Sequence, residues 1–226
     1  MLKRLIVAID GPAGSGKSTS AKLVAQKLGF LYIDTGAMYR AITFLAIENN
    51  VLQNNDAIIE LAKGSGLDLE FKNGETHVYT NGKEITDKIR TQEVNSKVSD
   101  ISKIEGVRKA LVNRQRELAK EKNGVVMEGR DIGTVVFPNA DVKIFLTASI
   151  NERASRRTKE YEDKGVHISL DEIKANIEQR DKIDSTRNVS PLMKAQDAIE
   201  VDTSNISIQE QVDKILKLIE IKIDKK

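Results

Sequence analysis

The 226 residues contain no cysteine, no tryptophan, two histidines and three prolines, and aromatic side chains make up only 4% of them. Without cysteine there is no disulfide framework, no thiolate nucleophile and no sulfur-ligated metal. With so little proline the chain is not collagenous, and with 39% hydrophobic residues it is not of the disordered class. No apolar run is long enough to cross a membrane. At the start, MLKRLIVAIDG, the run from Leu5 to Ile9 is broken by Asp10, short of the roughly 7–15 apolar residues of a secretory signal. A cytoplasmic location is therefore expected. Nor is there an excess of one charge: 36 Lys+Arg against 34 Asp+Glu leave a formal +2. Bulk composition thus argues for neither a nucleic-acid footprint nor a membrane surface, and any anion site must be local. The length suffices for one sizeable core, as one domain with an insertion or as two small domains.

What is present alternates. Leu5 to Ile9, Val125 to Met127 and Val142 to Leu146 are short, continuously apolar runs bounded by turn residues, as strands buried on both faces of a parallel sheet require; Ala198 to Val201 is a weaker fourth. Between them lie helical patterns at Ser18 to Leu28, Ala37 to Glu48, Val107 to Glu121, Glu152 to Lys164, Asp171 to Arg180 and Ile208 to Ile221. Strands alternating with helices predict an α/β sandwich. One segment departs from this. LDLEFKNGETHVYTNGKEI, Leu67 to Ile85, alternates apolar and polar residues and carries Asn73-Gly74 and Asn81-Gly82, the strongest short hairpin signal. It predicts a three-stranded antiparallel meander. The Lys-rich end, Lys222 to Lys226, reads as a solvated helix terminus.

Gly11, Pro12, Ala13, Gly14, Ser15, Gly16, Lys17, Ser18 and Thr19 contain G-x-x-x-x-G-K-[ST] between a strand and a helix. Glycines let successive N–H groups turn toward phosphate oxygens, and the helix N-terminus adds its dipole. Lys17, on a solvent-facing loop, would reach the β- and γ-phosphates of a nucleotide, and Ser18 would ligate Mg2+. Asp10, at the strand end, either orders the loop or accepts from a magnesium-bound water. A GTPase would need an Asp-x-x-Gly switch, and none of the 14 glycines has one. Arginine is abundant instead, at Arg40, Arg108, Arg130, Arg153, Arg156, Arg157, Arg180 and Arg187, and guanidinium forks suit bidentate phosphate contacts. Arg4, Arg114 and Arg116 read as solvated arginines on polar faces. Gly129-Arg130-Asp131 directly follows a buried strand, where α/β proteins bind ligands.

Four ordered motifs, Asp10 to Ser18, Asp34-Thr-Gly-Ala-Met-Tyr-Arg40, Glu128-Gly-Arg-Asp-Ile-Gly-Thr-Val-Val-Phe-Pro138 and Gln179-Arg-Asp-Lys-Ile-Asp-Ser-Thr-Arg187, resemble the bacterial cytidylate kinases over nearly the whole chain. The resemblance implies a P-loop three-layer sandwich: a central parallel sheet, helices on both faces, an antiparallel β-meander insert and a helical lid. Residues 1–34 and 123–226 would form the core, with the lid at about 152–166; residues 35–122 would bind the acceptor nucleotide and include the meander at about 67–86. It implies phosphoryl transfer from ATP, with Mg2+, to CMP or dCMP. Thr35 and Arg40 would hold the acceptor phosphate, with Arg130 opposite. Ser99, Arg108 and Asp131 would read cytosine, and Arg180 and Asp184 would meet the ribose. Arg187 would lie near the phosphates, and Arg153 and Arg157 on the lid. Lys17 and these arginines, Arg130, Arg153, Arg157, Arg180 and Arg187, would be the catalytic set. Glu128 stands where the resemblance leads one to expect aspartate.

The residues support this chemistry. A phosphate monoester has a second pKa near 6, so the acceptor is already ionised at neutral pH and needs no general base. His77 and His167 are accordingly read as surface residues. Cytosine offers an amino donor beside two acceptors; Asp131 or Ser99 can accept from the amine while Arg108 donates to the ring. Small-molecule substrates and a monomer are expected. The alternatives are another P-loop small-molecule or nucleoside monophosphate kinase, for example a UMP-directed one, and a non-enzymatic nucleotide switch.

Overall fold

Every strand of the main sheet delivers its carboxyl end to the same side of the molecule. In the computed structural model, which describes residues 5–72, 74–120, 122–163 and 165–224, β1 (Leu5–Asp10) leads through the glycine loop into α1 (Lys17–Leu28), β2 (Leu31–Asp34) and α2 (Thr35–Glu48). Next come α3 (Asn55–Gly64), the strands β3 (Asp68–Lys72), β4 (Glu75–Thr80) and β5 (Lys83–Glu84), and the helices α4 (Gln92–Ile101) and α5 (Glu105–Lys120). The chain then returns as β6 (Gly124–Gly129), β7 (Val142–Thr147), α6 (Ile150–Glu162), α7 (Leu170–Thr186), β8 (Ile199–Asp202) and α8 (Ile208–Asp224).

Among the described residues the main sheet runs β2-β6-β1-β7-β8, parallel throughout. Val7 pairs with Val126 on one side and Val142 on the other, and all three are fully buried. This is why these strands read as unbroken apolar runs rather than as alternation. One face packs α2, α5 and the meander around Met38, Ile42, Leu111 and Met127; the other packs α1 and α8 around Val24, Ile144, Val212 and Ile215. A third, small cluster of Ala154, Ile173 and Ile177 joins α6 to α7.

The meander is present as β3-β4-β5, antiparallel. Asn81 and Gly82 both adopt positive φ, 48° and 76°, the requirement of a type I′ turn. Asn73, of the other predicted turn, lies outside the described residues, as do Arg4, Lys225 and Lys226. Leu67, Leu69, Val78 and Ile85 join the α2 side of the core, so the insert shares the main hydrophobic body. Arg114 and Arg116 are not merely solvated. Arg114 Nε donates to the Leu67 carbonyl at 2.6 Å and strings β3 to α5, while Arg116 donates to the carbonyls of Val135 and Val136, both at 2.9 Å. Their guanidinium heads donate to backbone carbonyls of neighbouring segments.

Candidate active site

The glycine loop follows the central strand. Gly11 has φ 151°, and a Cβ there would stand 2.1 Å from the Leu146 carbonyl oxygen, so no other residue fits between β1 and β7. Gly16, at φ 85°, turns the chain into α1. Ser18 and Thr19 lie exposed in the first turn of that helix. Lys17 is not solvent-facing: it is 5% exposed, and its Nζ donates to the Pro12 carbonyl at 2.7 Å, folded back beneath the loop. Burial, reinforced by the nearby charges of Arg130 and Arg180, pulls its ammonium down to about 7.

The other strand ends complete the site. Asp34, ending β2, caps α2 by accepting from Ala37 N at 2.9 Å and also accepts from Arg40 Nη2 at 3.0 Å. Thr35 donates to the Glu128 carbonyl at 2.8 Å, tying the start of α2 to the end of β6. The Glu128 side chain accepts from Ser18 Oγ and from Tyr32 OH, and burial next to Asp34 raises its carboxyl above the usual range. Asp10 accepts from Ile132 N at 2.8 Å and Gly133 N at 2.7 Å, which makes it a loop-ordering residue. Together with Arg116, it fixes a π-helical turn over Ile132–Val136 at both ends.

That turn presents Arg130 and Asp131. Arg108, 2% exposed, pairs with Asp131 and donates to the Ser102 carbonyl at 3.1 Å; Ser102 in turn donates to the Ser99 carbonyl. Arg108 and Asp131 are thus paired directly through Asp131 Oδ2, while Ser99 is connected to them only through its backbone carbonyl and Ser102. Arg130 Nε donates to Asp184 Oδ2 at 2.8 Å, and Arg187 lies 3.7 Å from Asp184 Oδ1. Burial alone would raise the Asp184 carboxyl, but Arg130, Arg180 and Arg187 hold it below the ordinary value. Arg180 Nε, Arg40 Nε and Arg187 Nη2 are buried without a hydrogen-bond partner among the described residues, and burial beside Arg130 lowers the Arg180 guanidinium to about 10. Converging, underpaired cations of this kind make a polyanion site.

On the opposite wall, Arg153 donates to the carbonyls of Ala13 and Ala148, both at 3.1 Å, and to Asp181 at 2.5 Å, binding α6 to the loop and to α7. Arg157 bonds Glu160 at 2.7 Å and stands over the Tyr161 ring at 4.9 Å, on the outer part of α6. Neither histidine enters the site: His167 is exposed and His77 bonds Glu84 in the meander.

The sequence model of cytidylate kinases matches residues 7–221. The chain belongs to the cytidylate kinase family. It is 51% identical to the cytidylate kinase of Bacillus licheniformis over 227 residues, covering 100% of both chains, and 51% identical to that of Bacillus subtilis, covering 98% and 99%. The solved structure of an uncharacterised protein from Eubacterium ventriosum shares the fold at a TM-score of 0.50 and 14% identity, with 96% of this chain and 98% of the other covered. For a member of the cytidylate kinase family, reading the residues in order misses the supporting partners: Tyr32, Asp181 and Thr203, the last donating to the Ser15 carbonyl at 3.1 Å and receiving Arg156. Of these, only Asp181 carried a signal, as the acidic residue three before Asp184 on one helix face.

Proposed function

We propose that the protein transfers the terminal phosphoryl group of ATP to CMP and dCMP, yielding CDP and dCDP. The observation that carries this reading is the arrangement around one cleft of a cytidylate kinase family member: the glycine loop on one side, the Arg108–Asp131 pair on the other, and underpaired buried cations between them.

The acceptor phosphate, ionised at neutral pH, is itself the nucleophile, so the residues align substrates and neutralise charge rather than move protons. Thr35, Arg40 and Arg130 hold the acceptor phosphate; Lys17 meets the transferred group with Arg187 near the phosphates, and Arg180 and Asp184 face the ribose. Arg108 donates to the cytosine ring, and Asp131 Oδ1 accepts from its amine. Ser18 fits a cation ligand, because its single hydroxyl proton is given to Glu128 and its lone pairs are free. Mg2+ bound there with ATP would supply charge neutralisation on the phosphates. Arg153 and Arg157 place α6 as a lid whose closure keeps water from the donor. The near-balanced charge supports small-molecule substrates rather than nucleic acid. Among the described residues no helix is long and apolar enough to cross a membrane. A cytoplasmic, monomeric enzyme is part of the same reading, and sedimentation velocity tests the oligomeric state.

The deciding experiment follows ADP production from ATP with CMP, dCMP, UMP and AMP in turn. CMP and dCMP are expected to be turned over fastest. A preference for UMP or AMP would assign the site to another nucleoside monophosphate, and hydrolysis unaffected by any acceptor would make the protein a nucleotide switch.

A further inference from the structure

Glu128 spans the two halves of the site. Its backbone carbonyl receives Thr35, on the acceptor side, and its side-chain Oε1 receives Ser18 Oγ, on the donor side. The same Oε1 receives a second proton donor, Tyr32 OH, at 3.0 Å. Tyr32 has no freedom to point elsewhere. It is 1% exposed, lies in β2 opposite Val126 of β6, and meets Phe71 of the meander edge-on with ring centroids 5.2 Å apart.

A serine hydroxyl owns one proton, so the acceptor that takes it decides which way the oxygen's lone pairs face. Glu128 can set Ser18 in this way only if its own carboxylate is held still. Lys17, Asp34 and Ser18 all act on that carboxylate, the first attracting it and the second repelling it. The Tyr32 bond is the one drawn from a rigid, fully packed side chain. We propose that Tyr32 is a positioning residue for the metal–nucleotide donor: by bonding Glu128 Oε1 it fixes the carboxylate that takes Ser18's proton, so that Ser18 presents its lone pairs to the divalent cation bound with the nucleotide.

The proposal rests on the donor-site reading of Gly11 to Ser18, and one experiment separates the two. ADP is titrated calorimetrically into the full chain with Mg2+ and with a chelator. In the wild type Mg2+ tightens ADP binding. Tyr32→Phe keeps the ring against Phe71 and removes only the hydroxyl. It is expected to leave metal-free ADP affinity unchanged and to shrink the Mg2+-dependent gain by a factor of about 3–10, the scale of one hydrogen bond. Glu128→Gln should shrink the gain as well, and adding Tyr32→Phe to it should change nothing further, because Tyr32 acts through Glu128. A Tyr32→Phe protein with the wild-type gain, or effects of the two substitutions that simply add, would overturn the proposal. If Tyr32→Phe does not fold, Glu128→Gln alone decides: an undiminished gain, or a weakened metal-free affinity, defeats it. A wild type that binds no ADP would remove the donor-site reading, and the proposal with it.

Discussion

In the free protein, burial and the charges of Arg130 and Arg180 pull the Lys17 ammonium down to about 7. A bound polyphosphate restores the proton. ATP binding should therefore take up more protons at about pH 8.5, above the Lys17 pKa, than at about pH 6. Calorimetry in buffers of different ionisation enthalpy measures this, and Lys17→Arg should abolish the uptake. Lys17→Ala should lower kcat by about 100- to 1000-fold, as loss of a preorganised charge typically does; activity within about tenfold of wild type would move the donor site elsewhere. Asp131 shows how far a motif can be read. Its sequence place after a buried strand left Arg130 and Arg108 both open as partners, and the fold chooses Arg108, 23 residues away. With Oδ2 occupied by Arg108, the proposed base reading would fall to Oδ1. Asp131→Asn should lower kcat/KM for CMP and raise it for UMP, narrowing the preference by about 2–3 kcal/mol from one lost charge-assisted bond and one relieved mismatch. If both substrates fall together at constant ratio, Asp131 only braces Arg108.

At the scale of elements, α7 is a rack for arginines. Ser169 and Glu172 close a capping box at its start, and its face then carries Asp181 to Arg153 and Asp184 to Arg130. Asp184→Ala should thus depress kcat/KM for CMP and dCMP alike by releasing Arg130; a shift of the CMP:dCMP ratio by more than about tenfold, over 1.4 kcal/mol, would give Asp184 a direct bond to the 2′-hydroxyl. The alternating pattern and Asn-Gly pairs made the meander legible, since both signals are local. Its dependence on the core was not: removing it would strip Leu67, Leu69, Val78 and Ile85 from the α2 face. Arg114→Ala is the milder test. It should cost roughly 1–3 kcal/mol by leaving the Leu67 carbonyl unpaired and should speed hydrogen exchange in β3 ahead of β1. The helix around Ser99 was legible, but its bounds, set by Thr91 accepting from Val94 N, were not; α3, capped by Asn54 accepting from Ala57 N, escaped the sequence reading because ten residues give too few turns for the helical period to stand out.

For the molecule as a whole, the most consequential buried charge is Asp10, whose carboxyl burial pushes up to about 6. Between about pH 4 and 6 the folded protein keeps a proton there that the unfolded chain has lost, so stability falls as pH rises through that window and levels off above it; the span corresponds to ~3 kcal/mol. In urea titrations at pH 4, 5, 6 and 7, Asp10→Asn should lose this component, its stability relative to wild type climbing until pH 6 and then holding. The overall α/β order was legible because buried strands announce themselves as apolar runs, whereas the closure of the donor loop was hidden in the far end of the chain. Ser15 and Gly16 give their carbonyls to Thr203 and Gln211, 188 and 195 positions later. On the ribosome the glycine loop is therefore made long before Thr203 and Gln211, so in a nascent chain the carbonyls of Ser15 and Gly16 wait for these partners until β8 and α8 emerge.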